Sequence, residues 1–430
     1  MNIIVALLIL SIIVIIHELG HFLLARSHGV TVTEFSVGMG PRIASFVRKG
    51  TRYSLKLLPI GGSCMMLGED ENIEDEGAFN KKGPWARFSI LFAGAFFNFI
   101  LAFILAVVVL GDVGVDKPYI TRLSENGPAM AAGLKEGDLI TKINGSGIHF
   151  ARDIKYSFYF NHLSEKPIEV KVLREGEKHT LSVVPVWRDI YQIGFNYTPG
   201  NSAAVAEVIV AGYPLEKAGM KVGDAIVAMN GVKISTSQEL ADYLAGNPLG
   251  AEPVTLTYAR NGQETEITVT PILVQSGFDL GWSYNEYGKK VNALEVVKYG
   301  FFELKSNVVN TVKSIVSLII GKVSVKEVAG PVGIVNVVGD IVSESKAYGL
   351  RTTLLSLAQF AILLSANLGV MNLLPIPALD GGRIVFIIIE AIRRKPVPRE
   401  KEAIVHLVGM ALLMLLMVLV AFNDIRNIFQ

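Results

Sequence analysis

The chain has 430 residues, of which 51% are hydrophobic and 18% charged, and its formal net charge is +1. This composition indicates a membrane protein with a soluble part rather than a single soluble core, and it gives no indication of a nucleic-acid partner. Cys64 is the only cysteine, which excludes an internal disulfide and a cysteine-based metal cage. A bound metal would therefore need histidine and carboxylate ligands.

The first apolar segment, residues 3–25, contains the sequence HELGH at positions 17–21. As a helix it is about 35 Å long, enough to cross a bilayer. The spacing of His17 and His21 puts both on one helix face, where two neutral imidazoles can bind one zinc ion and Glu18 can act as a base. The alternative is a histidine pair at a helix end. A removable signal peptide is not expected, because a basic n-region and a cleavage site are missing.

Residues 31–70 are β-prone, and glycines separate three predicted strands at 31–39, 52–59 and 63–67. We expect short hairpins that dip toward the membrane, where non-helical backbone is tolerated only beside protein or a water-filled cavity. An edge of these hairpins next to the zinc could bind a substrate unwound from its helix. The candidate substrate-binding residues are Leu57, Leu58, Gly61 and Gly62. The alternative is an amphipathic surface hairpin.

Three further apolar runs follow, at residues 88–110, from about 353 to 392 with an interruption, and at 403–422. Basic residues cluster after the first run and before the last, and the positive-inside rule places both clusters in the cytoplasm. The prediction is four crossings, with both termini and residues 111–350 outside the cytoplasm. The metal site then lies toward the cytoplasmic side.

An internal repeat with an offset of 86 residues occupies the outer segment, as AAGLKEGDLITKING and then KAGMKVGDAIVAMNG. Each copy predicts a short helix closed by glycine, a Gly-Asp turn, a strand and an Asn-Gly hairpin turn. The pattern resembles circularly permuted bacterial PDZ domains, which we expect at residues 113–199 and 200–288. The later apolar strands Ile193-Gly194-Phe195 and Leu280-Gly281-Trp282, one assigned to each copy, are candidate peptide-binding edges. The alternative is that both modules act only as spacers or size filters.

The rest of the chain, residues 289–430, is expected to hold an interfacial helix and crossings three and four, as residues 1–112 hold the first two crossings and the hairpins. The interfacial helix is predicted at residues 292–325, where apolar and basic residues alternate at helical spacing. The sequence AGPVGI at 329–334 then predicts a turn-rich break.

A third zinc ligand is expected in NLLPIPALDGG, residues 372–382, where prolines and glycines interrupt an apolar run. Broken helices in membranes usually line a cavity or a site. Asp380 is the candidate ligand, and its alternative role is an N-cap for a helix beginning near Gly381. Glu390 is the competing carboxylate, expected instead to pair with the basic cluster at 393–395 or to snorkel.

The order of HELGH, the PDZ-like repeats and NLLPIPALDGG resembles the site-2 protease family, most closely the bacterial regulator-of-sigma-E protease type with tandem PDZ domains. The resemblance implies one zinc ion per chain, bound by His17, His21 and Asp380, with Glu18 as general base and acid. It also implies a transmembrane or membrane-proximal helix as substrate. Members commonly cleave anti-sigma factors after a first cut by another protease, or remnant signal peptides.

Two asparagines match family features as candidate substrate-binding residues. Asn372 corresponds to the asparagine of the family's NPDG motif, where its amide could hold an unwound substrate or the developing oxyanion. Gly94 and Asn98 correspond to a G-x-x-x-N feature of the second crossing. The chain departs from the family there, with Ala-Gly-Ala where many relatives carry Ala-Gly-Pro.

The expected fold class is a polytopic α-helical membrane protein with four transmembrane helices, membrane-associated β-hairpins and two α+β PDZ-like domains between helices two and three. The expected function is intramembrane zinc proteolysis of single-pass membrane proteins in the bacterial inner membrane. Expected partners are these substrates, membrane lipid and peptide ligands of the PDZ-like domains. A catalytically silent PDZ scaffold and a transporter are the alternatives. The intact Glu18 argues against the scaffold, and the large outer modules argue against the transporter.

Overall fold

The computed structural model describes residues 2–322, 330–395 and 397–428. The helices are α1 (Asn2–Ser27), α2 (Pro84–Val113), α3 (Pro128–Ala131), α4 (Ala151–Phe160), α5 (Pro214–Lys217), α6 (Ser237–Gly246), α7 (Ala293–Ile319), α8 (Pro331–Lys346), α9 (Leu350–Leu373), α10 (Asp380–Arg393) and α11 (Arg399–Ile428). The strands are β1 (Val32–Arg48), β2 (Thr51–Met66), β3 (Ile120–Leu123), β4 (Leu139–Ile143), β5 (Ser146–Gly147), β6 (Ile168–Arg174), β7 (Glu177–Val183), β8 (Val186–Gln192), β9 (Phe195–Asn196), β10 (Ala204–Val205), β11 (Val208–Ile209), β12 (Ala225–Met229), β13 (Val232–Lys233), β14 (Val254–Arg260), β15 (Gln263–Val269), β16 (Ile272–Asp279) and β17 (Trp282–Tyr284).

The chain divides into two compact units. The first, which we call the membrane unit, comprises residues up to Pro118, His149–Phe160 and the chain from Glu286 onward. The second, the repeat unit, comprises Tyr119–Ile148 and Asn161–Asn285. This division differs from the expected boundaries, because α4 clusters with the membrane unit although its sequence lies within the first repeat.

Four helices in the described part of the chain are long and apolar enough to cross a membrane, over Ile3–Ser27, Pro84–Val113, Leu350–Leu373 and Lys401–Asp424. The four apolar helices expected from the sequence are therefore confirmed. Helices α2 and α9 meet through small residues, with Ala102 and Ala106 buried against Ile362 and Ala366. Small side chains allow the close helix approach on which packing in lipid depends.

Strands β1 and β2 form an antiparallel sheet in the membrane unit. Phe35 lies opposite both Tyr53 and Cys64, so the first half of β1 is placed between the two halves of β2. The order across the sheet is then residues 62–66, 32–39, 51–58 and 42–48. A turn with positive φ at Lys49 and Gly50 joins the last two, as a tight hairpin requires. The three strands expected here are present, and the segment 42–48 is a fourth that the sequence analysis missed.

Each repeat forms its own antiparallel sheet, in the order β5-β4-β6-β7 for the first and β10-β12-β14-β15 for the second. The Gly-Asp turn has the same function in both. Arg174 donates two hydrogen bonds of 2.7 Å to the buried Asp138, and Arg260 binds Asp224 in the same bidentate way at 2.7 and 2.6 Å. These repeated ion pairs tie the turn to the last residue of β6 in the first repeat and of β14 in the second.

The candidate peptide-binding strands belong to the opposite repeats from those expected. Phe195 pairs with Ile209 of the second repeat, and Trp282 pairs with Leu123 of the first. The reason is that β8 leads out of the first repeat and β16 returns antiparallel beside it. The second repeat is thus inserted into the first, and the expected boundaries 113–199 and 200–288 do not follow the strand pairing.

A helix is observed as α7 within the predicted range 292–325, whose residues 323–325 lie outside the described residues, and its position at a membrane interface stays a prediction. Asn292 caps α7 by accepting a hydrogen bond from the Glu295 amide at 2.9 Å. The turn-rich break expected at 329–334 is wrong for its described part, since α8 begins at Pro331. Proline suits a first helical turn because its missing N–H would have no partner there.

Candidate metal centre

The HELGH sequence lies on α1 where this helix crosses α2 closely. Gly20 makes the crossing possible, since a methyl group at this position would be 2.7 Å from the carbonyl carbon of Ala93. His17 and His21 therefore face α2 and are 7% and 6% exposed. Their rings are edge-on to each other, with centroids 4.7 Å apart.

Asp380 completes a cluster with the two histidines. Its Oδ2 atom lies 3.1 Å from Nε2 of His17 and 3.3 Å from Nε2 of His21, and the two Nε2 atoms are 3.1 Å apart. Ligand atoms at about 2.0–2.2 Å from a tetrahedral zinc ion are separated by about 3.3 Å. The three donor atoms thus have the spacing of a zinc site, and they are the ligand set expected from the sequence.

The hydrogen bonds around the cluster also fit a metal. Oδ2 of Asp380 is buried without a hydrogen-bond donor of its own. Nδ1 of His21 lies 2.9 Å from the carbonyl oxygen of Ile90, which fixes the proton on Nδ1 and leaves the Nε2 lone pair directed at the cluster. Three acceptor atoms that point at one another repel unless a cation lies between them.

Asp380 reaches the histidines because the chain breaks between α9 and α10. Gly381 and Gly382 permit the sharp return, since methyl groups there would lie 2.5 Å from Leu373 and 3.0 Å from Ile376 backbone atoms. The N-cap alternative for Asp380 is not supported, because Leu379 occupies that position and no side-chain cap bond is present. Glu390 is an ion-pair partner as expected, although of Arg87 on α2, at 2.5 Å, rather than of the basic cluster.

Glu18 lies one residue after His17 and faces the β1–β2 sheet. A methyl group placed on Gly62 would be 3.5 Å from Cγ of Glu18, so the strand 62–66 runs beside this carboxylate. Gly61 is next to Met39 instead, and Leu57 and Leu58 are 57% and 50% exposed on the sheet. Among the four candidate residues of the sheet, Gly62 is the one placed next to Glu18.

Both candidate asparagines lie against His17. Nδ2 of Asn98 is 3.3 Å from Nδ1 of His17, and Nδ2 of Asn372 is 3.4 Å from both ring nitrogens. Asn98 is fully buried, whereas Asn372 is half-buried. Of the repeat-unit candidates, Ile193 and Leu280 are buried within that unit.

Sequence reasoning missed two contributors to this region. The carbonyl of Ile90 is a backbone group, which residue identity does not reveal. His406 on α11 accepts a hydrogen bond from the Ala378 amide at 2.8 Å, two residues before Asp380. Its position on an apolar helix was a signal that could have identified it.

A His-His-Asp cluster beside a glutamate, carried on apolar helices, defines a membrane-integral metallopeptidase. The sequence model of peptidase family M50 matches residues 5–416. A zinc metalloprotease RasP of Geobacillus kaustophilus is 31% identical over 100% of this chain and 98% of that protein. The regulator of sigma-W protease RasP of Bacillus subtilis is 29% identical over 100% of this chain and 99% of that protein.

The chain belongs to peptidase family M50, the site-2 protease family, and is a zinc metalloendopeptidase. The silent-scaffold and transporter alternatives are thereby set aside. Among solved structures, a PDZ domain of HtrA3 bound to a phage-derived ligand matches 21% of this chain and 93% of that domain, at 22% identity with a TM-score of 0.18. A TM-score this low does not establish the fold of the repeats.

Proposed function

We propose that this integral membrane enzyme cleaves the membrane-spanning or membrane-proximal helix of single-pass proteins after another protease has trimmed them. The observation that carries the proposal is the His17–His21–Asp380 cluster on apolar helices, with the strand 62–66 beside Glu18. The Bacillus subtilis relative is named a regulator of sigma-W protease, which supports anti-sigma-factor-like substrates. Remnant signal peptides are the second substrate class.

His17, His21 and Asp380 hold one zinc ion in this proposal. When bound, zinc acts as a Lewis acid that polarises the scissile carbonyl and lowers the pKa of water. Glu18 accepts a proton from the attacking water and afterwards returns it to the leaving amine. The amide of Asn372, which is half-buried beside His17, holds the substrate carbonyl in this proposal.

The substrate helix has to unwind before attack, because its carbonyls are hidden in hydrogen bonds within the helix. The strand 62–66 pairs with residues 32–37 on one side. An extended substrate segment that adds to its other side would regain backbone hydrogen bonds beside Glu18. Leu57, Leu58 and Gly61 supply the neighbouring apolar surface of the sheet for this segment.

The orientation in the membrane follows from the basic residues of the loops. Arg42 and Arg48 lie on the sheet after α1, Lys49 lies in its turn, and Arg393 and Arg394 lie at the end of α10. By the positive-inside rule these segments face the cytoplasm, so the repeat unit and both termini lie outside it. The inserted repeats are proposed as PDZ-like modules that bind peptide at strands β9 and β17 or exclude bulky substrates.

The test is cleavage of a tagged single-pass substrate by detergent-purified enzyme, with bound zinc assayed in the same samples. Glu18→Gln should retain zinc and lose cleavage, and His17→Ala should lose both. A matched substrate series with helix-breaking or helix-stabilising residues at the cleavage site tests unwinding, and cleavage should increase with helix disruption. Equal cleavage across the series, or cleavage by Glu18→Gln at the native rate, contradicts the proposal.

A further inference from the structure

Three positions of α2, each four residues after the one before, face the imidazoles of His17 and His21. The carbonyl of Ile90 accepts from Nδ1–H of His21 at 2.9 Å. One turn further, Gly94 leaves the space in which the rings meet, since a methyl group there would lie 2.6 Å from Cε1 of each ring. Two turns from Ile90, Asn98 faces Nδ1 of His17. Each histidine thus has a polar partner on α2.

The role of Asn98 follows from the tautomer of His17. Nε2 of His17 faces the cluster, so as a metal ligand it carries the lone pair and the proton is on Nδ1. A buried N–H needs an acceptor. The atom of Asn98 that lies 3.3 Å from Nδ1 of His17 is Nδ2, which is a second donor. The acceptor of the same amide, Oδ1, is buried and has no hydrogen-bond partner.

Reversing the Asn98 amide removes both mismatches at once. The oxygen and nitrogen of an amide have nearly the same shape, and they are assigned from the hydrogen bonds that they make. With the amide reversed, Oδ1 accepts from Nδ1–H of His17 and no longer lacks a partner. Ser365 on α9 donates to the Asn98 carbonyl at 2.8 Å, which holds this residue of α2 in place.

Asn372 does not fill this role. Its Nδ2 atom is 3.4 Å from both Nδ1 and Nε2 of His17, so it is not aligned with either nitrogen. It is half-buried, whereas Asn98 is 0% exposed. Asn372 therefore remains available to a substrate, and Asn98 is sealed from one.

We propose that Asn98 is a positioning residue that accepts a hydrogen bond from His17 Nδ1–H and thereby fixes the tautomer and orientation of this zinc ligand. Asn98 then supports metal binding. The family resemblance implied a different role for it, in substrate binding. The inference rests on the proposed ligation of zinc by His17 and not on the proposed substrate.

The test measures zinc affinity of the full-length protein in detergent by competition with a chromophoric chelator. Loss of an outer hydrogen bond of this kind typically lowers metal affinity 10–100-fold. Asn98→Leu, which fills similar space without an acceptor, should show a loss of about that size. Asn98→Asp, which keeps an acceptor, should stay within about threefold of the native protein, since carboxylates are common partners of zinc-bound histidine.

Asn372→Leu is the matched control, because it removes the other amide near His17 and should leave zinc affinity unchanged. Cobalt substitution gives a second readout, with a native visible spectrum in Asn98→Asp and an altered one in Asn98→Leu. Native zinc affinity in Asn98→Leu, or equal losses in the Leu and Asp variants, would overturn the proposal. If Asn98→Leu does not accumulate, Asn98→Ala replaces it with the same expectation.

His17→Ala separates this outcome from failure of the proposed ligation. If zinc affinity is unchanged in His17→Ala, the ligand assignment itself is wrong. If His17→Ala loses zinc while Asn98→Leu and Asn98→Ala keep it, only the role of Asn98 is wrong.

Discussion

The carbonyl oxygen of Ile90 lies 2.9 Å from Nδ1 of His21, so the backbone of α2 fixes one metal-ligand candidate of α1. A backbone acceptor in an α-helix is normally used by the amide four residues later. The carbonyl at position 90 points toward Gly94, and the absent side chain there lets the imidazole approach. The geometry of the centre thus depends on how closely α1 and α2 pack.

Gly94→Ala tests this dependence. The added methyl group would lie 2.6 Å from Cε1 of both His17 and His21, so the rings must move and zinc affinity should fall at least tenfold. Gly111→Ala on the same helix is the control, because its methyl group would meet only Val296 at 3.9 Å. Zinc binding by chelator competition should be native in the control. Native zinc affinity in Gly94→Ala would contradict the prediction.

The ion pairs of Asp138 and Asp224 in the two repeats predict a measurable effect on stability. Asp224 is 2% exposed in its side chain, and Asp224→Asn leaves Arg260 without its bidentate partner. Because this arginine is 36% exposed, we expect a loss of about 1–3 kcal/mol, below the cost of breaking a fully buried pair. Urea unfolding followed by tryptophan fluorescence measures it. The exposed Glu264→Gln on β15 should change stability by less than about 0.5 kcal/mol, and equal effects would refute the assignment.

The same pairs predict a loss of stability in acid. The Arg260 hydrogen bonds hold the pKa of Asp224 below its ordinary value, and Arg174 does so for Asp138 although burial opposes it. A lowered folded-state pKa contributes stability that is complete above the unfolded value of about 3.9 and is lost as pH falls further. The double variant Asp138→Asn, Asp224→Asn should therefore lose less stability than the native protein between about pH 5 and pH 3. Parallel pH curves for the two proteins would show that the pairs are not responsible.

Local sequence patterns predicted much of this molecule. The i, i+4 histidines, the four apolar runs and the Asn-Gly turns each depend on residues close in the chain. The strand exchange between the repeats could not be predicted, because the pairing of Trp282 with Leu123 joins residues far apart in sequence. Helix α8 was missed because glycines and Pro331 favour a turn locally. Its N-terminus is stabilised by a residue far away in sequence, because Asp424 accepts a hydrogen bond of 2.9 Å from the Gly333 amide.

The hydrogen bond of His406 predicts that α11 supports the metal centre. Its Nδ1 atom accepts a hydrogen bond of 2.8 Å from the Ala378 amide. Ala378 has a φ of 76°, a left-handed conformation that costs an alanine free energy. His406→Leu removes this restraint on the segment before Asp380, and we expect zinc affinity to fall several-fold. His406→Asn should retain most of the affinity, because its side-chain oxygen can accept the same amide. A native chelator titration for His406→Leu would exclude the role.

Gly62→Val tests whether substrate pairs with the strand beside Glu18. The new side chain would begin 3.5 Å from Cγ of Glu18, so it would reduce the space beside this carboxylate that the proposed substrate segment needs. Cleavage should drop at least tenfold while zinc content stays native, because no ligand is displaced. Met65→Ala on the same strand shortens a side chain that is 51% exposed and should cleave at nearly the native rate. Unimpaired cleavage by Gly62→Val would mean that the substrate reaches Glu18 without adding to this edge.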